Sequence, residues 1–224
     1  MGIHRRPGEH QVPPQAGALV TAALWLAASY LFGAIPTSYI AGRLGRGIDL
    51  RQHGSRNLGA TNVYRVLGWR YAIPVGLLDV AKGALPVTLC ERWSGGPPWL
   101  PVAAGVAAVT GHVFSPYVRF RGGKGVATAG GMFLALAPLA LAISAIVWGV
   151  VLWLSGYVSV SSLVAAALFP LWARLTRPDA PSTLWASVAL ALLIVFSHRA
   201  NIRRLAAGTE HRFRTRVIPG GEDR

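Results

Sequence analysis

The chain has 224 residues, of which 53% are apolar and only 13% are charged, and its formal net charge is +14. Ordinary globular domains carry about 25% charged residues, so this composition favours a membrane protein over a soluble one. Because the basic residues alternate with long uncharged runs, they indicate cytoplasmic loops at a membrane surface, and we expect no nucleic-acid partner. The single cysteine excludes an intrachain disulfide framework, and the scattered histidines predict no metal site.

The first helix is predicted in the apolar run that follows a polar N-terminal tail. Residues 1–15 are polar and contain prolines, so we expect them to be disordered. The apolar run extends from Ala16 to Ile40, which exceeds the roughly 7–15 residues of a signal-peptide core. It therefore predicts a transmembrane helix.

The loop that follows, residues 43–70, contains the segment GSRNLGATNVYR. Its glycines permit tight turns, its serine and asparagine side chains can bind phosphate oxygens, and its last arginine can pair bidentately with a phosphate. The candidate residues of this segment are Gly54, Ser55, Asn57, Asn62 and Arg65. The alternative interpretation is a polar loop whose Ser, Asn and Thr side chains cap a helix.

Two further apolar segments are predicted at about residues 72–90 and 99–118. The first contains Asp79 and Lys82, three residues apart, and charges are costly in lipid unless they are paired. We interpret them as a structural ion pair that faces the interior of the helix bundle.

A glycine-rich loop with a lysine comes next, in the segment GHVFSPYVRFRGGKGVAT. Glycines let backbone N–H groups approach a ligand and Lys124 supplies positive charge, so phosphate is the expected ligand. The loop is not a Walker A motif, because Gly125 stands where Ser or Thr would hold magnesium. We therefore expect no nucleotide and no other cofactor; the alternative is a flexible connector with a snorkelling lysine.

The run from Gly125 to Ala173 contains no charged residue and is too long for one transmembrane pass. A helix rises about 1.5 Å per residue and needs about 20 residues to cross a 30 Å core. Pro138 and the pair Ser155 and Gly156 are the predicted break points.

The arginines predict which loops face the cytoplasm. Residues 43–70 hold six arginines and the chain after Ser197 holds seven, and the positive-inside rule places both in the cytoplasm with the loop at 119–124. An even number of passes must then separate that loop from the C-terminal tail, so the uncharged run contributes three short passes beside one at about 180–197. We predict about seven transmembrane helices, with the N-terminus outside and the C-terminus inside.

The last polar segment is HRANIRRLAAGTE, from His198 to Glu210. The spacing of His198 and Asn201 puts them on one helix face, and Arg203 and Glu210 are further candidates. A basic stop-transfer cluster on anionic lipid would explain the arginines, but not the other three residues.

These segments, together with LDVAKG around Asp79 and YVSVSS, resemble in their order the acyl-phosphate-dependent glycerol-3-phosphate acyltransferases of bacteria. The resemblance extends from about Ala16 to Glu210. It implies an all-α, polytopic protein of the bacterial inner membrane, with seven short transmembrane helices and polar motif loops on the cytoplasmic face. We accordingly divide the chain into a disordered tail (1–15), an acyltransferase domain (16–210) and a basic tail (211–224).

The reaction that the resemblance implies moves a fatty acyl group from acyl phosphate to the 1-hydroxyl of sn-glycerol 3-phosphate. The products are lysophosphatidic acid and phosphate. The residues implied to be catalytic are Ser55, Arg65, Lys124, His198 and Asn201. The residues implied to bind substrate are Gly54, Asn57, Asn62, Gly122, Gly123, Gly125, Ser159, Ser162, Arg203 and Glu210. Backbone N–H groups of Gly122–Gly125 would contact the acyl phosphate.

His198 has two possible roles in that reaction. Its chemistry makes it the obvious general-base candidate. The family resemblance implies instead that the leaving phosphate of the donor acts as the base and that His198 positions substrate. We hypothesise the positioning role.

Two other functional classes compete with this interpretation. A transporter or channel for organic phosphates or other anions predicts cationic residues near the bilayer midplane, whereas the motifs here lie at helix ends. An intramembrane serine protease would need Ser155 and His198 as a dyad.

The partners expected for the acyltransferase are the two phosphorylated substrates, the lipid bilayer, and a soluble enzyme that makes the labile acyl phosphate.

Overall fold

The computed structural model describes residues 14–213, and that range folds into α-helices without strands. The predicted disordered tail (1–15) and basic tail (211–224) lie almost wholly outside the described residues. The helices are α1 (Pro14–Gly33), α2 (Thr37–Arg46), α3 (Ala60–Leu67), α4 (Trp69–Trp93), α5 (Leu100–Val113), α6 (Val126–Leu136), α7 (Pro138–Ser155), α8 (Val158–Thr176), α9 (Pro181–Ser197) and α10 (Arg199–Ala206), with a 3₁₀ turn at Pro116–Val118.

Within residues 14–213, four helical segments are long and apolar enough to cross a membrane. They are Gly17–Arg46, which comprises α1 and α2, and the single helices Trp69–Trp93, Pro138–Ser155 and Val158–Thr176. The pair α9 and α10 forms a fifth candidate, which is bent by 55° between the two helices. Helix α6 is apolar but has only 11 residues, about 16 Å at 1.5 Å per residue. The prediction of an all-α integral membrane protein is confirmed, and the number of seven spans stays a prediction.

The long uncharged run divides into α6, α7 and α8 at the two predicted break points. Pro138 is the first residue of α7, a position where proline's missing N–H removes no helical hydrogen bond. Gly156 follows α7 with a φ of 75°, a left-handed conformation that glycine adopts at little cost. The prediction of three helices with these breaks is confirmed.

The predicted first helix ends earlier than Ile40. Pro36 disfavours a helical conformation of the residue before it, so α1 ends at Gly33 and α2 begins at Thr37. The break is held by a buried ion pair in α4. Lys82 Nζ lies 2.7 Å from Asp79 Oδ1 and donates to the carbonyl of Ile35 at 2.8 Å, while Thr37 Oγ1 donates to Asp79 Oδ1 at 2.5 Å. The predicted structural ion pair is confirmed.

Glycines bring α4 and α6 close together. A Cβ on Gly83 of α4 would collide with the carbonyl oxygen of Thr128 in α6, and one on Gly131 of α6 would collide with that of Val80 in α4. Small residues allow such close backbone approach between membrane helices. This contact holds the beginning of α6, with the glycine-rich loop before it, against α4.

Candidate active site

A cavity of about 220 Å³ lies between the helices and contains residues from every predicted polar motif. The predicted site residues that line it are Ser55, Asn57, Asn62, Arg65, Lys124, Gly125, Ser159, Ser162, His198, Asn201 and Glu210. Four predicted residues do not line it: Gly54, Gly122, Gly123 and Arg203. We call this space the polar cavity.

Asn62 holds the loop before α3 in shape. Its side-chain amide is buried and donates to the carbonyls of Leu50 (3.2 Å) and His53 (3.1 Å), while its oxygen accepts the N–H of Ser55 at 2.8 Å. Both amide N–H groups therefore have protein partners, and the expected binding of a phosphate by Asn62 stays a prediction. Gly54 is also structural, because it has a φ of 59° and a Cβ there would collide with the Asn62 oxygen.

Arg65 carries its guanidinium into the polar cavity from α3. The side chain is buried, and its Nη2 donates to the carbonyl of His211 at 3.3 Å. Among the residues that the structure describes, Nε of Arg65 has no hydrogen-bond partner. Burial lowers the pKa of the guanidinium, but arginine stays charged in proteins, so an anionic ligand can take this donor.

Lys124 supplies the second cation. Its backbone carbonyl accepts a hydrogen bond from Ser197 Oγ at 3.1 Å, which ties the loop to the end of α9. Burial lowers the pKa of the Lys124 ammonium to about 8, and the attraction of Glu210 only partly offsets this effect. Within residues 14–213, no carboxylate forms a salt bridge with Lys124.

The glycine-rich loop uses two of its N–H groups to hold itself in place. The N–H of Gly122 donates to the carbonyl of Val113, and that of Gly123 to the carbonyl of His112, both at 3.1 Å. A Cβ on Gly123 would collide with Nε2 of His112. The two glycines allow the loop to approach α5, and contact of their N–H groups with the acyl phosphate stays a prediction. Gly125, in contrast, lines the polar cavity at the start of α6.

Glu210 joins α8 and α10 through its carboxylate. Oε1 accepts from Ser159 Oγ (2.9 Å) and from Asn201 Nδ2 (2.5 Å), and Oε2 accepts from Arg204 Nε (2.7 Å). Burial acts to raise the pKa of this carboxyl, but the three hydrogen bonds together hold it below its ordinary value. Arg203 is exposed, and the arginine that contacts Glu210 is its neighbour Arg204.

His198 lies at the bend between α9 and α10 and is buried. Its Nδ1 is 2.8 Å from the carbonyl oxygen of Ile194. Because a carbonyl can only accept, Nδ1 carries the proton and Nε2 keeps its lone pair. This tautomer can accept a hydrogen bond from a substrate hydroxyl.

Ser155, the other member of the serine protease dyad, donates to the carbonyl of Val151 and lies outside the polar cavity.

Asp79, His112 and Trp148 are among the residues that line the polar cavity without having been predicted as site residues. Asp79 is one member of the buried ion pair, and Nδ1 of His112 lies 3.3 Å from Nζ of its other member, Lys82. Ionisable residues inside a membrane bundle are functional candidates, and this signal could have identified both. Trp148 donates to Ser162 Oγ at 3.2 Å, and nothing distinguishes it in the uncharged run.

A second cavity of about 240 Å³ adjoins the polar one and is lined by α6, α7, α8 and α9. Its lining is almost entirely apolar, and Val126, Trp148 and Ser162 line both cavities. We call it the apolar groove. A cationic cavity joined to an apolar groove suits a ligand with an anionic head and a hydrocarbon chain.

Known proteins are similar to this chain in both sequence and fold. The sequence model of a family described as glycerol-3-phosphate acyltransferase matches residues 23–208. A glycerol-3-phosphate acyltransferase of Trichlorobacter lovleyi is 46% identical over 192 residues, covering 85% of this chain and 96% of that protein. One of Desulforudis audaxviator is 47% identical over 187 residues, covering 83% and 92%.

Two crystal structures of PlsY (YgiH), an integral membrane glycerol 3-phosphate acyltransferase, have a similar fold. The glycerol 3-phosphate form has a TM-score of 0.80 at 36% identity and covers 86% of this chain and 95% of that one. The lysophosphatidic acid form has a TM-score of 0.78 with the same identity and coverage.

Proposed function

The chain belongs to the glycerol-3-phosphate acyltransferase family, and we propose that its acyl donor is an acyl phosphate. In the proposed reaction, the 1-hydroxyl oxygen of sn-glycerol 3-phosphate attacks the acyl carbonyl carbon. The bond from that carbon to the phosphate oxygen breaks, and inorganic phosphate leaves. Lysophosphatidic acid is the other product.

The observation that carries this proposal is the state of the buried cations. Lys82 and Arg204 each lie 2.7 Å from a carboxylate oxygen. Lys124 and Arg65 face the polar cavity without such a partner in the described part of the chain. A buried charge without a counter-ion is costly, so these two groups favour anionic ligands. Both proposed substrates carry phosphates.

The apolar groove supports a fatty acyl donor. A donor whose phosphate lies beside Lys124 can extend its chain past Val126 and Trp148 into the groove. Burial of a hydrocarbon chain contributes about 0.8 kcal/mol per methylene, which anchors the donor independently of its head group.

The chemistry asks the protein mainly for positioning and charge stabilisation. An acyl phosphate is an activated anhydride, so its phosphate leaves readily once its charge is stabilised. Lys124 and Arg65 would stabilise that leaving group. Nε2 of His198 would orient the glycerol 3-phosphate hydroxyl, and Asn201 would help to hold the same substrate. The hydroxyl proton would pass to the leaving phosphate.

We further propose that the site faces the cytoplasm from the bacterial inner membrane. The arginine-rich loop at 43–70 and the segment after Ser197 both contribute to the polar cavity. The positive-inside rule favours a cytoplasmic position for both. The soluble enzyme that makes acyl phosphate would then deliver its product to the same face.

An acyl-transfer assay on detergent-purified protein tests the donor and the site together. Labelled glycerol 3-phosphate is offered with palmitoyl phosphate or palmitoyl coenzyme A, and Lys124→Ala is run beside the wild type. We expect lysophosphatidic acid from acyl phosphate only, with most of it lost in the variant. Product from coenzyme A alone would overturn the donor. No product from either donor in folded protein would favour the transporter, with phosphate flux in liposomes as its readout.

A further inference from the structure

The apolar groove has a definite direction relative to the polar cavity. Val126, Trp148 and Ser162 line both spaces, so they mark the entrance from the polar side. On α6 the lining continues from Val126 to Phe133, and on α8 from Ser162 to Phe169. Each stretch covers two helical turns, which gives a depth of about 10 Å at 1.5 Å per residue.

The two phenylalanines close the far end of the groove. Phe133 and Phe169 are both buried, and their ring centroids lie 4.1 Å apart with an interplanar angle of 31°. They belong to the same buried cluster as Met132, Ala137 and Ala173. A chain that reached these rings would have to displace a packed aromatic pair or bend aside towards lipid.

Gly130 leaves the middle of the groove open. The nearest heavy atom to a Cβ at this position would be Leu141 Cδ1 at 3.9 Å, so a side chain has room there. The neighbouring Gly131 is different, because its Cβ would collide with the backbone of Val80. Glycine in a helix interior is destabilising relative to alanine. Helix packing explains Gly131, and the open groove explains Gly130.

We propose that Gly130 sets the free width of the groove and that Phe133 and Phe169 set its depth, so that these residues determine the accepted acyl chain length. The inference rests on the proposed acyl phosphate donor. Each methylene that an apolar pocket accepts or rejects changes kcat/KM roughly tenfold or more. A side chain in the middle of the groove therefore selects against long donors, and a smaller floor residue selects for them.

The test measures kcat/KM for acyl phosphates from butanoyl to octadecanoyl, so that the shortest donors end before Gly130. We expect Gly130→Leu to reduce kcat/KM for the long donors by at least about tenfold relative to the short ones. Phe133→Ala should shift the preference in the opposite direction. Gly149→Leu is the matched control, because Gly149 lies exposed on α7 with no heavy atom within 4 Å of a Cβ and does not line the groove.

A binding measurement separates chain selection from loss of folding. Unreactive alkyl phosphonates of increasing length are added, and the rise in melting temperature of the wild type and of each variant is recorded. The stabilisation should stop increasing at a shorter chain in Gly130→Leu than in the wild type. If Phe133→Ala does not fold, Phe133→Leu tests the floor with a smaller loss of volume.

The outcomes distinguish this inference from the proposed function. An unchanged chain-length profile in active, folded Gly130→Leu and Phe133 variants would overturn the role of these residues and leave the donor intact. A wild type that makes no product from any acyl phosphate and gains no stability from any phosphonate would overturn both proposals.

Discussion

Lys124 is a partly buried cation whose charge changes within the pH range of an ordinary assay. Burial lowers its pKa to about 8 from the ordinary value of 10.5, so the ammonium loses its proton as the pH rises through about 8. Its favourable interaction with a phosphate is present below that pH and is lost above it. Because kcat/KM reports the free enzyme, we expect kcat/KM to fall about tenfold per pH unit above about 8.

Two comparisons test this prediction for Lys124. The decline in kcat should begin at a higher pH than the decline in kcat/KM, because a bound phosphate stabilises the charged ammonium. Lys124→Arg should remove the decline in whatever activity it retains, since a guanidinium stays charged. A wild-type kcat/KM that stays flat to about pH 9.5 would contradict the assignment of Lys124 as a phosphate ligand.

Arg204 and Arg203 form a matched pair at the residue scale. Arg204 donates to Glu210, which in turn holds Ser159 and Asn201, whereas Arg203 is exposed. A hydrogen bond to a charged group is worth about 1.5–3 kcal/mol. We therefore expect Arg204→Met to lower kcat/KM for glycerol 3-phosphate about tenfold to a hundredfold.

The control is Arg203→Met, which should retain nearly full activity because Arg203 does not line the polar cavity. Arg204→Lys should restore part of the activity if the position acts through its charge on Glu210. Equal losses in Arg203→Met and Arg204→Met would mean that the basic cluster acts only through its net charge.

At the element scale, the contact between α4 and α6 is predicted to be sensitive to single methyl groups. A Cβ at Gly83 would collide with the backbone of Thr128, whereas one at Gly76 of the same helix would meet only the Cβ of Ala60 at 3.7 Å. Overpacking costs about 1–3 kcal/mol, and Gly→Ala in an open helix position stabilises by about 0.5–1 kcal/mol. Gly83→Ala should therefore lower the melting temperature in detergent and Gly76→Ala should keep or raise it.

Activity provides a second readout of the same contact. Displacement of α6 from α4 would move Lys124, so Gly83→Ala should also lose activity under conditions where it stays folded. Equal melting temperatures and activities for the two alanine variants would show that α4 and α6 are less closely packed than the structure indicates.

At the scale of the whole molecule, the arginine-rich loops predict that the polar cavity opens to the cytoplasm. Cys90 is buried and can be replaced by alanine, so single cysteines can report sidedness. Arg203→Cys lies on the side of the polar cavity, and Pro98→Cys lies exposed in the loop at the other end of α4. A membrane-impermeant thiol reagent should label the first only in inside-out vesicles and the second only in right-side-out vesicles. The reverse pattern would invert the proposed orientation.

Much of the fold was predictable because local rules decide it. Pro138 and Gly156 break the uncharged run where backbone geometry requires, and Asp79 and Lys82 pair because neither charge is tolerated alone in the bundle. The early end of α1 was missed, although Pro36 carried the signal.

The candidate site was predicted in its members more reliably than in their individual contacts. Lys124, Arg65 and His198 come from distant segments and meet in one cavity. The sequence did not reveal that N–H groups of Asn62 and Gly123 donate to neighbouring backbone carbonyls, because only the packed chain brings these carbonyls within reach.

The sequence by itself determined the membrane-protein class, the polar motifs with their chemical groups and the family that they resemble, because composition and motif order are properties of the chain alone. Only the tertiary structure decided which donors face the polar cavity and that Arg204, not its neighbour Arg203, pairs with Glu210. It also placed the apolar groove, with Gly130 and Phe133, beside the polar cavity. The physical reason is that a side chain binds whichever partner the packed helices bring within about 3 Å.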